Sequence, residues 1–260
     1  SFLKQGDIFD KEQHMATLST IFTYPIKSFP GIAHRQIELS LGEGLPNDRR
    51  YAISNGTVNT SDGSWVSCRS FFINTVNDGL LKFTNESNAD TLTLASPTGM
   101  RLSWNINDPD SLKFANSKMA EFIAPLQPAG DLPTPQISER TQLPGMLSGY
   151  WDFDDSGISL MNANSLKAVA DAMKETLDIR RLRGNLIVDG LPAWQEFSWV
   201  GQSVRIGAKG KGAEFDVLRP VQRCPATSVN PETGVRDIKV PDGLTEHFGH
   251  AFCGVYLKVT

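Results

Sequence analysis

Three cysteines occur in this 260-residue chain, and one of them, Cys224, lies between Arg223 and Pro225 inside "LRPVQRCPATSVNPETG". The thiolate is the nucleophilic and metal-ligating form of cysteine, and nearby positive charge favours it. Arg219 and Arg223 are therefore expected to lower the pKa of this thiol. Soft sulfur suits a transition metal better than magnesium or calcium. A cysteine at a strand end is more often inert packing, but Pro225 and the turn residues of "NPETG" indicate a loop, where a side chain is open to ligands.

A second group consists of cationic and amide side chains placed where strands begin or end. "YPIKSF" sets Lys27 and Ser28 just after one strand, "NDRRY" sets Arg49 and Arg50 at the opening of another, and "RRLRGN" sets Arg183 and Asn185 ahead of a third. Donors at strand ends can converge on one rim of a sheet. A helix opening at Asn164 and Ser165 adds free backbone amides and the positive end of a dipole. Together these groups can hold a phosphate-bearing cofactor, although each alone reads as a solvated surface residue. "EHFGH" offers Glu246, His247 and His250, an incomplete metal set better read as a helix or loop end. "GAKGKG" lacks the spacing of a phosphate-cradling loop and reads as a hairpin turn.

The elements that must carry these residues are mostly short β runs. From Thr17 onward "LSTIFTY", "RQIELSL" and "RRYAIS" are cut by turn residues, and "TLTLASPTGMRLSW" reads as a hairpin around Pro97 to Gly99. The first hundred residues are thus expected to form an antiparallel, barrel-like sheet. "NSKMAEFIAPL" predicts a short helix before Pro125, and "QPAGDLPTPQISERTQLPGMLSG" reads as a linker. In "NSLKAVADAMKETL", Leu166, Val169, Ala170, Met173 and Leu177 fall at helical spacing, with Asn164 or Ser165 as the cap. Strands follow: "NLIVDG", "QSVRIG", "EFDVL" and "GVYLKV". The opening fourteen residues show neither alternation nor helical spacing and, with Met15 next, read as a leader or appended segment. The expected fold is mainly β with a few helices, an α+β protein. Residues 1–14 form the leader, 15–125 a β-barrel module and 126–260 a second barrel domain.

Composition bounds the function. Hydrophobic residues make up 40% and charged residues 21%, as in ordinary globular proteins, and the net charge of −4 gives no cationic field for nucleic acid. No apolar run approaches the roughly 20 residues that a bilayer span requires. An odd number of scattered cysteines argues against a disulfide framework. The chain reads as cytoplasmic, with neither a membrane nor a nucleic acid as partner.

Taken in order, "YPIKSFPGI", "GLPNDRRYAI", "RLRGNLIVDG", "RCPATSVNPETG" and "FCGVYLKV" resemble the MOSC-domain proteins, named after the C-terminal domain of molybdenum cofactor sulfurase. The first two motifs resemble the N-terminal β-barrel module of that family, and the subgroup most similar is the bacterial relatives of the mitochondrial amidoxime-reducing component. The resemblance runs from about Leu18 to Val259. It implies a molybdenum cofactor (molybdopterin with Mo) whose metal is ligated by Cys224. It also implies that Lys27, Ser28, Arg49, Asn164, Ser165, Arg183 and Asn185 contact that cofactor. The implied activity is reduction of N-hydroxylated or N-oxide compounds, with electrons from a separate iron–sulfur or haem protein. The alternative is a module that carries the cofactor, or sulfur on Cys224, without turnover. An association with pyridoxal phosphate binding also comes with the family.

Overall fold

The computed structural model describes residues 2–9, 15–56, 65–126, 134–140, 145, 148–153, 157–207 and 212–260. Among these the chain is mostly β, with three α-helices: α1 (Pro109–Ile123), α2 (Ala163–Met173) and α3 (Val240–Phe248). None is long and apolar enough to cross a membrane.

The larger sheet has eight strands and takes them from both ends of the chain. Its order is Ser203–Ile206, Ala213–Gln222, Phe252–Val259, Ile158–Asn162, Leu186–Asp189, Met15–Thr23 and Gly6–Phe9, with Ile32–His34 pairing off Met15–Thr23. All its pairings are antiparallel except Ile158–Asn162 with Leu186–Asp189, which run parallel because α2 crosses between them. One face buries Leu18, Ile21, Leu160, Val188, Phe215, Val255 and Leu257. The other packs Met161, Ile187, Val221 and Cys253 against Leu166 and Val169 of α2 and Leu244 of α3.

A second core gathers Ile26, Phe29, Tyr51, Leu94, Trp104, Met119 and Phe122. Around it stand a three-stranded sheet (Thr84–Asn85, Thr91–Ala95, Arg101–Asn105) and α1. The expected hairpin is present, with Ala95 opposite Arg101 and Gly99 at φ 89° in its turn. Asp108 accepts from the Asp110 amide and Pro109 takes the first turn, so α1 begins well upstream of the sequence reading.

Three expectations are corrected. The opening residues belong to the fold: Phe2–Lys4 pairs with Gln36–Glu38, Gly6–Phe9 pairs with Met15–Leu18, and Leu3 is 1% exposed in the core. Three residues of exposed-buried-exposed alternation are too few to read as a pattern. Gln136–Glu139, inside the supposed linker, is a strand paired with Tyr51–Ser54. Asn116 of α1 fixes it by accepting from the Ile137 amide at 2.6 Å. Finally, α2 is capped by Asn162, whose side chain accepts from the Asn164 amide at 3.0 Å, and not by Asn164 or Ser165. The tip of the "GAKGKG" turn, 208–211, lies outside the described residues.

Candidate functional site

The ends of Met15–Thr23 and Leu186–Asp189 bring three predicted cations to one rim. Lys27 is buried, donating to the Tyr150 carbonyl at 2.9 Å and to Asp152 at 2.5 Å. Arg49 donates to Asp48 at 2.5 Å and to the Arg183 carbonyl at 3.1 Å. The guanidiniums of Arg49 and Arg183 lie 4.6 and 4.4 Å from the centroid of the Tyr24 ring, and Arg49 also stacks on Trp151 at 5.1 Å. Ser28, Arg49 and Arg183 all adopt left-handed backbone, at φ 69°, 51° and 51°. Residues other than glycine hold that conformation only where their surroundings enforce it, and such residues cluster at functional sites. At Gly184 an added Cβ would fall 2.1 Å from the side chain of Met161, so only glycine lets the chain turn from Arg183 into the strand.

The charges on this rim are unequally matched. Burial would lower the Arg49 pKa, but Asp48 more than compensates and raises it. Asp152 is held below the ordinary carboxylate range: burial pulls it upward, and Lys27, with Arg49 and Arg183, outweighs that. Arg183 has no carboxylate. Its guanidinium makes no hydrogen bond or ion pair among the described residues, and burial, with Arg49 adding repulsion, lowers its pKa to about 10. A partly desolvated cation without an ion-pair partner among the described residues fits an anionic ligand, and so does the buried Trp151 Nε1–H beside Arg49, which has no acceptor among those residues.

Cys224 is open to solvent at the end of Ala213–Gln222. A turn follows, starting at Pro225, and Arg236 pins it by donating to the Pro225 carbonyl at 2.6 Å and to the Asn74 and Thr75 carbonyls at 3.3 and 3.1 Å. Arg181 and Asp237, paired at 2.8 Å, hold the far side of the same loop. Asp152 contributes to the electrostatics of both Cys224 and Arg183. The expected depression of the thiol pKa is not found: crowding around the sulfur raises it, and Arg223 opposes this only weakly. Arg223 points inward, donating to the Leu182 carbonyl at 2.8 Å and to the Cys253 carbonyl. Arg219 stacks on Tyr256 at 4.7 Å.

The other predicted residues are engaged by partners within the protein. Asn185 is fully buried and fully used: its Oδ1 accepts from the Ser159 amide and hydroxyl, and its Nδ2 donates to the Phe22 carbonyl and, at 3.0 Å, to Asp48. Asn164 donates to the Leu191 carbonyl at 2.7 Å. Ser165 donates to Glu196 at 2.8 Å and accepts from the Trp194 amide at 2.8 Å. Sequence reasoning missed Asp48, which is 1% exposed and also accepts from the Tyr24 amide at 2.6 Å, and Glu196, which is fully buried. The only signal for Asp48 was its position before two arginines. No group of three or more His, Cys, Asp or Glu capable of holding a metal occurs among the described residues, so a metal here depends on the single thiol and on the rest of its own cofactor.

A family model described as MOSC N-terminal beta barrel domain matches residues 15–125, and one described as MOSC domain matches residues 149–260. The chain is similar to a protein of Culex quinquefasciatus named "Molybdenum cofactor sulfurase 2", at 23% identity. The alignment covers 95% of this chain and 35% of that protein, so the chain spans about a third of the length of this relative. These findings associate the chain with molybdenum-cofactor proteins. With both halves of its sequence accounted for in this way, the chain belongs to the MOSC-domain proteins that carry an N-terminal barrel module.

Proposed function

We propose that this protein is a molybdenum-cofactor oxidoreductase that reduces N-hydroxylated or N-oxide compounds, with Cys224 as the protein ligand to the metal. The observation that carries this reading is the partly desolvated Arg183 guanidinium, without hydrogen bond or ion pair among the described residues, in a chain that also exposes the Cys224 thiol. Arg183, with Arg49, Lys27 and Ser28, binds the phosphate tail. Asn185 acts one step back by holding Asp48, and Asn164 and Ser165 act by fixing the α2 opening. The bound cofactor supplies two-electron redox chemistry. The chain orients it, and a separate iron–sulfur or haem protein supplies electrons, in keeping with a cytoplasmic enzyme. A carrier role is the second reading, favoured by the sulfurase name of the relative. The exposed Cys224 thiol suits either reading, and turnover separates them.

The test is expression in a host that makes the cofactor, followed by elemental analysis and by turnover of a hydroxylamine or amidoxime with an artificial electron donor. Wild type is expected to hold molybdenum and to turn over. Cys224→Ala is expected to lose the metal with its melting temperature unchanged. Full molybdenum content in that variant overturns the ligand role, and a loaded wild type without turnover establishes the carrier.

A further inference from the structure

Trp194, Phe197, Phe248, His250 and Phe252 form a continuous wall of rings. Centroids are 4.8 Å apart for Trp194 and Phe248, 5.7 Å for Trp194 and Phe197, 5.8 Å for Phe197 and His250, and 5.7 Å for His250 and Phe252. None of the five residues is buried, and Phe252 is 37% exposed.

Strand register places this wall next to Cys224. Gln222 pairs with Phe252, and the Arg223 amide donates to the Ala251 carbonyl at 2.7 Å, so Cys224 leaves the end of the ladder beside the segment that carries His250 and Phe252. Side chains alternate across a sheet. Arg223 and Cys253 are buried, while Gln222, Cys224 and Phe252 are exposed, so the thiol and the Phe252 ring both face outward.

The wall is held in place. Trp194 has left-handed backbone at φ 70°, an uphill conformation for such a residue, and its amide is fixed by Ser165, itself tied to buried Glu196. The Phe252 amide donates to His250 Nδ1 at 3.2 Å and orients the ring. Ser165 thus also supports the aromatic surface.

We propose that Trp194, Phe197, His250 and Phe252 form a subsite that takes the flat, uncharged aryl group of the substrate while its N-oxygenated end is presented at Cys224. This rests on the molybdenum reading only for the reacting end. Ring faces favour an offset aryl partner over an alkyl chain.

The experiment is calorimetric titration of the cofactor-loaded protein with benzamidoxime and with acetamidoxime, in wild type, Trp194→Ala and Phe252→Ala. Phe252→Ala removes an exposed ring and guards against misfolding of the Trp194 variant. Each variant is expected to lose aryl affinity by about two- to ten-fold, with alkyl affinity unchanged, and to raise KM for the aryl compound without altering kcat. Equal shifts for both compounds, or none for either, overturn the subsite. Retained aryl affinity in both variants, alongside loss of molybdenum in Cys224→Ala, sinks the subsite and leaves the metal reading standing. Ring-dependent aryl binding to protein that never acquires molybdenum does the reverse.

Discussion

The rim around Arg183 and the opening of α2 contain the same kinds of residue, and the sequence assigns both to one anion. The structure separates them. At the helix opening the Asn162 side chain caps the Asn164 amide, Asn164 donates to the Leu191 carbonyl, and Ser165 binds Glu196, so the negative group that a helix N-terminus favours is a side chain of the protein itself. On the rim, Asp48 pairs with Arg49 and Asp152 with Lys27, while among the described residues no side chain forms an ion pair with Arg183. A sequence shows which residues can donate; only the fold shows which donors are already used.

That contrast breaks down unless mutations on its two sides behave differently. Arg183→Ala is expected to weaken cofactor retention by about 1.5–3 kcal/mol, the range for hydrogen bonds to charged groups, while unfolding free energy stays within about 0.5 kcal/mol. Retention assays and denaturant melts check both, and a large loss of stability would show that Arg183 is structural. Ser165→Ala should do the opposite. It leaves Glu196 short of a donor, costing about 1–3 kcal/mol of stability, with a smaller loss of cofactor retention than in Arg183→Ala.

The smallest effect is a pH dependence. Burial raises the Glu196 pKa even though Asn162 and Ser165 donate to it. A carboxyl that holds its proton more tightly in the folded state contributes stability fully below the unfolded value of about 4.3, and that contribution is lost as pH rises through the folded value. The melting temperature of wild type relative to Glu196→Gln should therefore fall from about pH 4 towards neutrality. A difference that stays flat or rises would place Glu196 outside this account.

Strand-end cations and the open thiol were legible because the turn residues around them, such as Pro25 and Pro225, mark chain reversals in any context. The mainly β fold with its hairpin at Gly99 was legible for the same reason. What hid the rest was distance along the chain. Asn185 reads as a surface amide until its partners Phe22 and Asp48, from the other half of the chain, close around it. Asp48 itself looks like one more solvated charge. Gln136–Glu139 could be recognised as a strand only from Tyr51–Ser54, to which it returns.

Met15–Thr23 is sewn between Gly6–Phe9 and Leu186–Asp189, and the Ser19 hydroxyl donates to the Ile187 carbonyl 168 residues away. On the ribosome this strand emerges well ahead of the neighbour it pairs with, which follows some 168 residues later. Its apolar side chains and open hydrogen-bonding edge stay exposed for that interval, the condition under which nascent chains aggregate or recruit chaperones. Secreting or splitting off either half alone would leave that wait without an end.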